Sequence, residues 1–213
     1  AARARLGSAL RTAALPAVGA TLAVGGLREF AAGALGAFLA GFVATKYPGQ
    51  DAWIGLTFSA GGLGYVGGAA LSGLAVRWLG GPARAAVVSL GATAVLTALF
   101  GWVTVSPVWT AAAQALLAAA MGVSANALLG LLHAYSGTDY GAVLLLNSVL
   151  TRLTAVLGTL IGGLAVDATP GFAGWQIAIC VAAVVVLAPV RPLLRAARGA
   201  TQTAPDTGPS RSA

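Results

Sequence analysis

The chain has 213 residues, of which 58% are hydrophobic and 8% charged, and its mean hydropathy is +0.89. A water-soluble domain of this length carries roughly a quarter charged residues to cover its surface, so an ordinary soluble fold is excluded and most of the surface must face an apolar medium. The formal charge of +7 does not point to nucleic acid: the twelve Lys and Arg fall mainly in short gaps between apolar runs, not on one basic face, and such gaps are where a membrane protein keeps its cationic anchors.

Ala1-Ala2-Arg3-Ala4-Arg5 opens the chain without Met and without the isolated apolar stretch and cleavage site of a signal peptide. Residues 1–12 therefore read as a cytoplasmic linker that continues from a preceding segment. A bilayer core is about 30 Å thick and takes about 20 apolar residues to cross as a helix. Six runs reach that length: 13–44, 53–76, 85–105, 108–132, 141–166 and 172–190. Turn-forming residues dominate the breaks, among them Pro48-Gly49, Gly80-Gly81-Pro82, Ser106-Pro107 and Pro170-Gly171. The expected fold is all-α: a polytopic membrane bundle over 13–195, followed by a Thr-, Pro- and Ser-rich tail over 196–213 that reads as disordered and cytoplasmic.

Cations set the expected orientation. Arg3, Arg5 and Arg11 precede the first run, Arg77 and Arg84 flank the second gap, and Arg191, Arg195 and Arg198 follow the sixth run. If six helices alternate in direction, these share one side and Lys46 stands on the other, so both termini are expected in the cytoplasm of a cell whose inner or plasma membrane holds the protein. Trp53, Trp78, Trp109 and Trp175 lie near run ends, as interfacial anchors do. Cys180 is a lone thiol within an apolar run; with no Cys/His cluster in the chain, no metal and no cofactor are expected.

Glycine is frequent, at 30 residues, and most of it lies within the runs. In lipid, small residues let helix backbones approach closely. Gly64 and Gly68 are four apart, as are Gly158 and Gly162, and each pair forms a smooth strip for fixed packing or for sliding. Polarity is uneven. The third run holds only Ser89, Thr93 and Thr97 with Trp102, and the sixth is uninterrupted from Ile177 to Ala188, so both are expected to face lipid. Arg28 and Glu29 in the first run, Gln114 and Asn126 in the fourth, and Asn147 and Arg152 in the fifth imply that these three line something wet, because ionisable groups in a membrane face a cavity or the protein interior.

Two triplets of helices, each ending in a lipid-facing member, follow the pattern of inverted three-helix repeats, in which substrate binds near the midplane at the repeat interface. With this order, the chain resembles the C-terminal half of a major facilitator superfamily transporter over about residues 15–195. Gly67-Gly68-Ala69-Ala70-Leu71-Ser72-Gly73-Leu74-Ala75-Val76-Arg77 is similar to the weaker copy of the family's cytoplasmic loop motif G-x-L-x-D-R-x-G. Val76 stands at the Asp position and Gly80 comes one residue late, which puts that motif's charge relay in doubt. Ile161-Gly162-Gly163-Leu164-Ala165-Val166-Asp167 resembles the glycine-rich penultimate helix, and Gly174-Trp175 opens the last run as the family's G-W-R does, with Gln176 for the basic residue. The resemblance is nearest to drug or sugar efflux antiporters. It implies six transmembrane helices as two inverted three-helix repeats, a missing N-terminal six-helix half as partner, and proton-coupled efflux of a small-molecule substrate by alternating access.

Arg28 and Glu29 are the sharpest chemical feature. They sit near the middle of the first run, and adjacent helical residues point about 100° apart, so the expectation is that they do not simply pair with one another. Glu29 is the candidate ion-coupling carboxylate, exchanging protons, with Arg152 as its candidate cationic partner. Arg28, Arg152, Asn126, Asn147 and Gln114 are the candidate substrate-cavity residues, and a structural ion pair or interhelical hydrogen bonding is the competing use. Tyr65 and Trp102 are further pocket candidates. His133 stands near the cytoplasmic end of the fourth run, as a pH-sensitive group or a solvated helix-end residue. Ala70-Leu71-Ser72-Gly73 distantly resembles the G-x-S-G of rhomboid proteases, but Ser72 and His133 lie on the wrong helices for that dyad, so no enzyme is expected. A channel or an oligomeric scaffold is the alternative to a transporter.

Overall fold

The breaks between apolar runs are built from residues that end one helix and start the next. The computed structural model describes residues 2–36 and 38–168, and among them regular structure is entirely helical: α1 (Ala2–Ala13), α2 (Pro16–Gly36), α3 (Leu39–Lys46), α4 (Ala52–Trp78), α5 (Pro82–Val103), α6 (Pro107–Ser136), a 3-10 turn over Gly137–Asp139, and α7 (Tyr140–Ala168). Pro16, Pro82 and Pro107 each open a helix, where a missing N–H costs nothing. Ser106 caps α6 by accepting from the Trp109 amide at 3.4 Å. At the other end of α4 the Gly81 amide bonds the Val76 carbonyl at 2.9 Å, a closure that needs the positive φ of Gly80 (+73°).

Among the described residues, four stretches are long and apolar enough to cross a membrane: Pro16–Lys46, Ala52–Trp78, Pro82–Phe100 and Pro107–Leu164. The last of these holds two helices, α6 and α7, turned apart at Gly137, whose φ of +53° suits a residue without Cβ. The expected first helix over 13–44 differs in two ways. It is divided into α2, which ends at Gly36, a residue of low helix propensity, and α3. Its approach is also helical: Ala2–Ala13 forms α1, since alanine, leucine and arginine are strong helix formers. The sixth run over 172–190, with Cys180 and Gly174-Trp175, and the tail over 196–213 lie outside the described residues.

α6 is the spine. It contributes Leu117, Leu128 and Leu132 to three separate buried clusters, shared with α3 and α5, with α2 and α5, and with α2 and α7 respectively. The direction of each neighbour follows from which residues meet. Val18 and Leu22 reach Leu132 while Arg28 reaches Met121, so α2 runs antiparallel to α6. Phe100 packs with Leu117 and Pro82 approaches Gly130, so α5 is antiparallel too. α4 runs parallel to α6, and α7 parallel to α2, as the contacts below require. Arg11, Arg77 and Arg84 therefore gather at one end of the bundle, and Lys46 at the other. At that second end the Tyr47 hydroxyl donates to the Thr104 carbonyl at 2.6 Å, and Lys46 Nζ donates to Thr104 Oγ1 at 2.8 Å, tying the α3 exit to the α5–α6 loop.

The two parallel seams share one register. Between α4 and α6, Gly61 meets Gln114, Gly64 meets Ala115, Gly68 meets Ala119 and Gly122 meets Tyr65. Between α7 and α2, Thr151 meets Gly25, Thr154 meets Gly26, Gly158 meets Phe30 and Gly33 meets Ala155, with the same spacing along both helices of each pair. The closest of these contacts are backbone on backbone: a Cβ on Gly68 would overlap the Ala119 carbonyl, and one on Gly158 the Phe30 carbonyl. The outer faces are apolar. Leu63 and Val66 on α4, Leu145 and Val156 on α7, and Val95 and Trp102 on α5 are all exposed. The third run, expected to face lipid, exposes Val95, Leu99 and Trp102 on α5, yet its apolar stretch is 44% buried against 17% for α4. Ser89 and Thr93 explain the difference, since their hydroxyls donate to carbonyls of α5 itself and can be packed inward without another partner.

Gly68→Ala is expected to force α4 off α6 and cost about 1–3 kcal/mol, the usual range for overpacking. Gly67→Ala, where an added methyl meets nothing within 4 Å, is expected to leave stability equal or slightly higher; thermal unfolding of the two variants in detergent checks both.

Candidate functional site

Only one stretch of the described chain brings opposite charges inside the bundle. Arg28 lies about 18 Å along the helix from Pro16, at 1.5 Å per residue, on the face of α2 that packs against α6. It is 6% exposed. Its Nη1 donates to the Met121 carbonyl of α6 at 2.8 Å, and its Nη2 donates to Glu29 Oε1 in an ion pair. The third guanidinium nitrogen, Nε, is buried and has no hydrogen-bond partner among the described residues. Glu29 is more open, with 28% of its side chain exposed.

The pair overturns the expectation that these neighbours do not meet. Their Cβ atoms do diverge, but an arginine side chain is long enough to fold across the helix surface and bring its far nitrogen to the carboxylate. It also removes Arg152 as the partner of Glu29: Arg152 is exposed on the outer side of α7. A buried pair of this kind is weak evidence for stability, because desolvating two charges offsets most of their attraction.

Beside the pair lies a cavity of about 130 Å³, open on one side. Arg28, Glu29 and Gly25 of α2 form one wall, Asn147 and Thr151 of α7 a second, and Tyr65 of α4 a third. Leu128, Leu129 and Leu132 of α6 close it with aliphatic surface. Gly25 is what brings α7 close, since Asn147 Oδ1 lies 3.3 Å from where a Cβ would stand. Asn147 and Tyr65 thus join the charged pair, while Trp102, the other pocket candidate, is 73% exposed. Thr151 was missed in the sequence although a signal existed. It is one helical turn from Asn147 and so shares its face, whereas Arg152 is rotated about 100° away.

Gln114 and Asn126 sit elsewhere, in the seam between α4 and α6. Asn126 Nδ2 donates to the Ala69 carbonyl at 2.9 Å and to Ser72 Oγ at 3.1 Å. Gln114 lies over Gly61, with its Nε2 3.1 Å from the absent Cβ, and its Oε1 is buried without a hydrogen-bond partner among the described residues. Ser72 donates to the Ala69 carbonyl at 2.7 Å, and His133 packs edge-on against Tyr140, with ring centres 4.7 Å apart. Among the described residues no group of three His, Cys, Asp or Glu could hold a metal ion. What this cavity can do chemically is offer a hydrogen-bonded cation, a carboxylate, an amide and a phenol to a small molecule. Comparison with protein-family models, with curated proteins and with solved structures returned no match.

Asn126→Ala is expected to loosen the α4–α6 seam by about 0.6 kcal/mol, the average for an interhelical hydrogen bond in a membrane bundle. The cavity, whose lining does not include Asn126, should keep its shape; thermal unfolding of the variant in detergent checks the first effect and a crystal structure the second.

Proposed function

We propose that this chain is one six-helix half of a secondary active transporter, carrying a small solute across a cell membrane by alternating access and coupled to protons through Glu29. The observation that carries the proposal is a charged pair near mid-depth of an apolar helix, beside a cavity with an amide and a phenol. Charges inside a membrane bundle are expensive and mark ion or substrate paths. The structural competitor, a pair that only fixes helix register, gives no reason for a neighbouring cavity or for the partial exposure of Glu29.

The shared register of the two seams supports an inverted-repeat organisation. It relates α2 to α6 and α4 to α7, and α2 and α6 run in opposite directions. Such repeats place substrate at their interface, and the cavity is lined from α2, α6, α7 and α4. In this reading the exposed apolar faces meet lipid and a second six-helix half. The arginine-bearing end lies in the cytoplasm, with both termini there. Cavity roles go to Arg28, Glu29, Asn147, Thr151 and Tyr65, and Asn126 and Gln114 become packing residues.

Glu29→Gln, made in the complete polypeptide and reconstituted in vesicles, is expected to abolish solute movement driven by a proton gradient while solute counterflow persists. Proton-driven flux equal to the unaltered protein would remove Glu29 from the coupling.

A further inference from the structure

The chemistry lining the cavity bears on which solute it takes. Arg28 is 6% exposed, and its Nε has no hydrogen-bond partner among the described residues although both Nη atoms are engaged. A buried donor left open is costly, and an acceptor atom on a ligand is what relieves it. On a guanidinium, Nε–H and one Nη–H point the same way, at the spacing of the two oxygens of a carboxylate.

Charge balance adds a second condition. Among the described residues, Arg28 and Glu29 are the only charged groups on the cavity wall; α6 turns aliphatic side chains to it, α7 turns Asn147 and Thr151, and α4 turns the Tyr65 phenol. The empty site is therefore neutral overall. A carboxylate docked on Arg28 alone would leave one net negative charge next to Glu29, in a medium that screens poorly. A proton on Glu29 restores neutrality. It also weakens the hold of Glu29 on Arg28 Nη2, which frees the guanidinium to turn its Nη2–Nε edge, buried in the empty site, toward the incoming anion.

We propose that the cavity binds a small monocarboxylate together with one proton, the anion on Arg28 and the proton on Glu29. Both enter from water, the Glu29–H bond is the only covalent bond formed, and none is broken in the solute. At about 130 Å³ the space is close to the roughly 150 Å³ cavity that accepts benzene, so a short alkyl carboxylate fits with its apolar part against Leu128 and Leu132. The inference rests on the reading of this cavity as the solute site. It makes solute and proton travel together, in contrast to the exchange implied by the resemblance to efflux antiporters.

The test is calorimetric titration of the complete, detergent-solubilised protein with propionate and with propionamide, its uncharged counterpart of the same shape, in two buffers of different ionisation enthalpy. Propionate is expected to bind with uptake of one proton, its Kd falling about tenfold for each unit of pH lowered while the empty Glu29 is ionised. Propionamide is expected to bind at least about tenfold more weakly at low pH, the loss of one charge-assisted hydrogen bond, and to take up no proton. In Glu29→Gln, propionate binding should lose both its proton uptake and its pH dependence; Arg28→Gln should lose the preference for propionate.

Propionate binding without proton uptake, equal binding of propionamide, or no propionate binding would each overturn the inference. Vesicle flux separates it from the transporter reading. Proton-driven flux of an uncharged solute without propionate binding sinks the inference alone. Propionate binding with proton uptake but no flux of any solute upholds the site and sinks the transporter.

Discussion

Along two seams, α4 against α6 and α2 against α7, facing backbones lie so close that a methyl group on Gly68 or Gly158 would collide with a carbonyl across the gap. In an apolar medium there is no hydrophobic gain from burying leucine against leucine, so close van der Waals contact and interhelical hydrogen bonds must hold helices together. Glycine permits the approach, and Asn126 and Thr159 add hydrogen bonds across it, to the Ala69 and Gly33 carbonyls respectively. The seams lock the axial register of each pair, and that register decides which side chains meet.

The cavity depends on this register. Gly25 and Gly26 let α7 lie against α2 with Asn147 and Thr151 level with Arg28 and Glu29. A slide of one turn along α2 would move the amide away from the pair. Arg28 in turn bonds α2 to α6 through the Met121 carbonyl, so the buried cation of the pair also holds the aliphatic wall that α6 supplies. The two members of the pair differ in exposure: Arg28 is held between α2 and α6, and Glu29 is the more open of the two.

Much of the fold was legible because it depends on local physics. From the second run to the fifth, run lengths reported helix lengths, and prolines and glycines reported the breaks to within a few residues. The split of the first run was less visible, because Gly36, with nothing near it among the described residues, looks in sequence like the packing glycine Gly33. The site was half legible. Arg28, Glu29 and Asn147 stand out by polarity in an apolar background, and Tyr65 was named on its type. Asn126 and Gln114 stand out equally, yet belong to a seam, because polarity alone does not say which helix a side chain faces.

By itself the sequence determined the helical architecture, an apolar exterior and the ends at which cations gather, since these follow from hydropathy, chain length and turn chemistry. Tertiary structure alone decided the pairing of Arg28 with Glu29, the outward turn of Arg152, the inward turn of Thr151 and the choice of parallel partners. The reason is rotational. Helices that are apolar nearly all round carry little information about their own orientation, and only the fit of glycine strips against neighbouring backbones sets it.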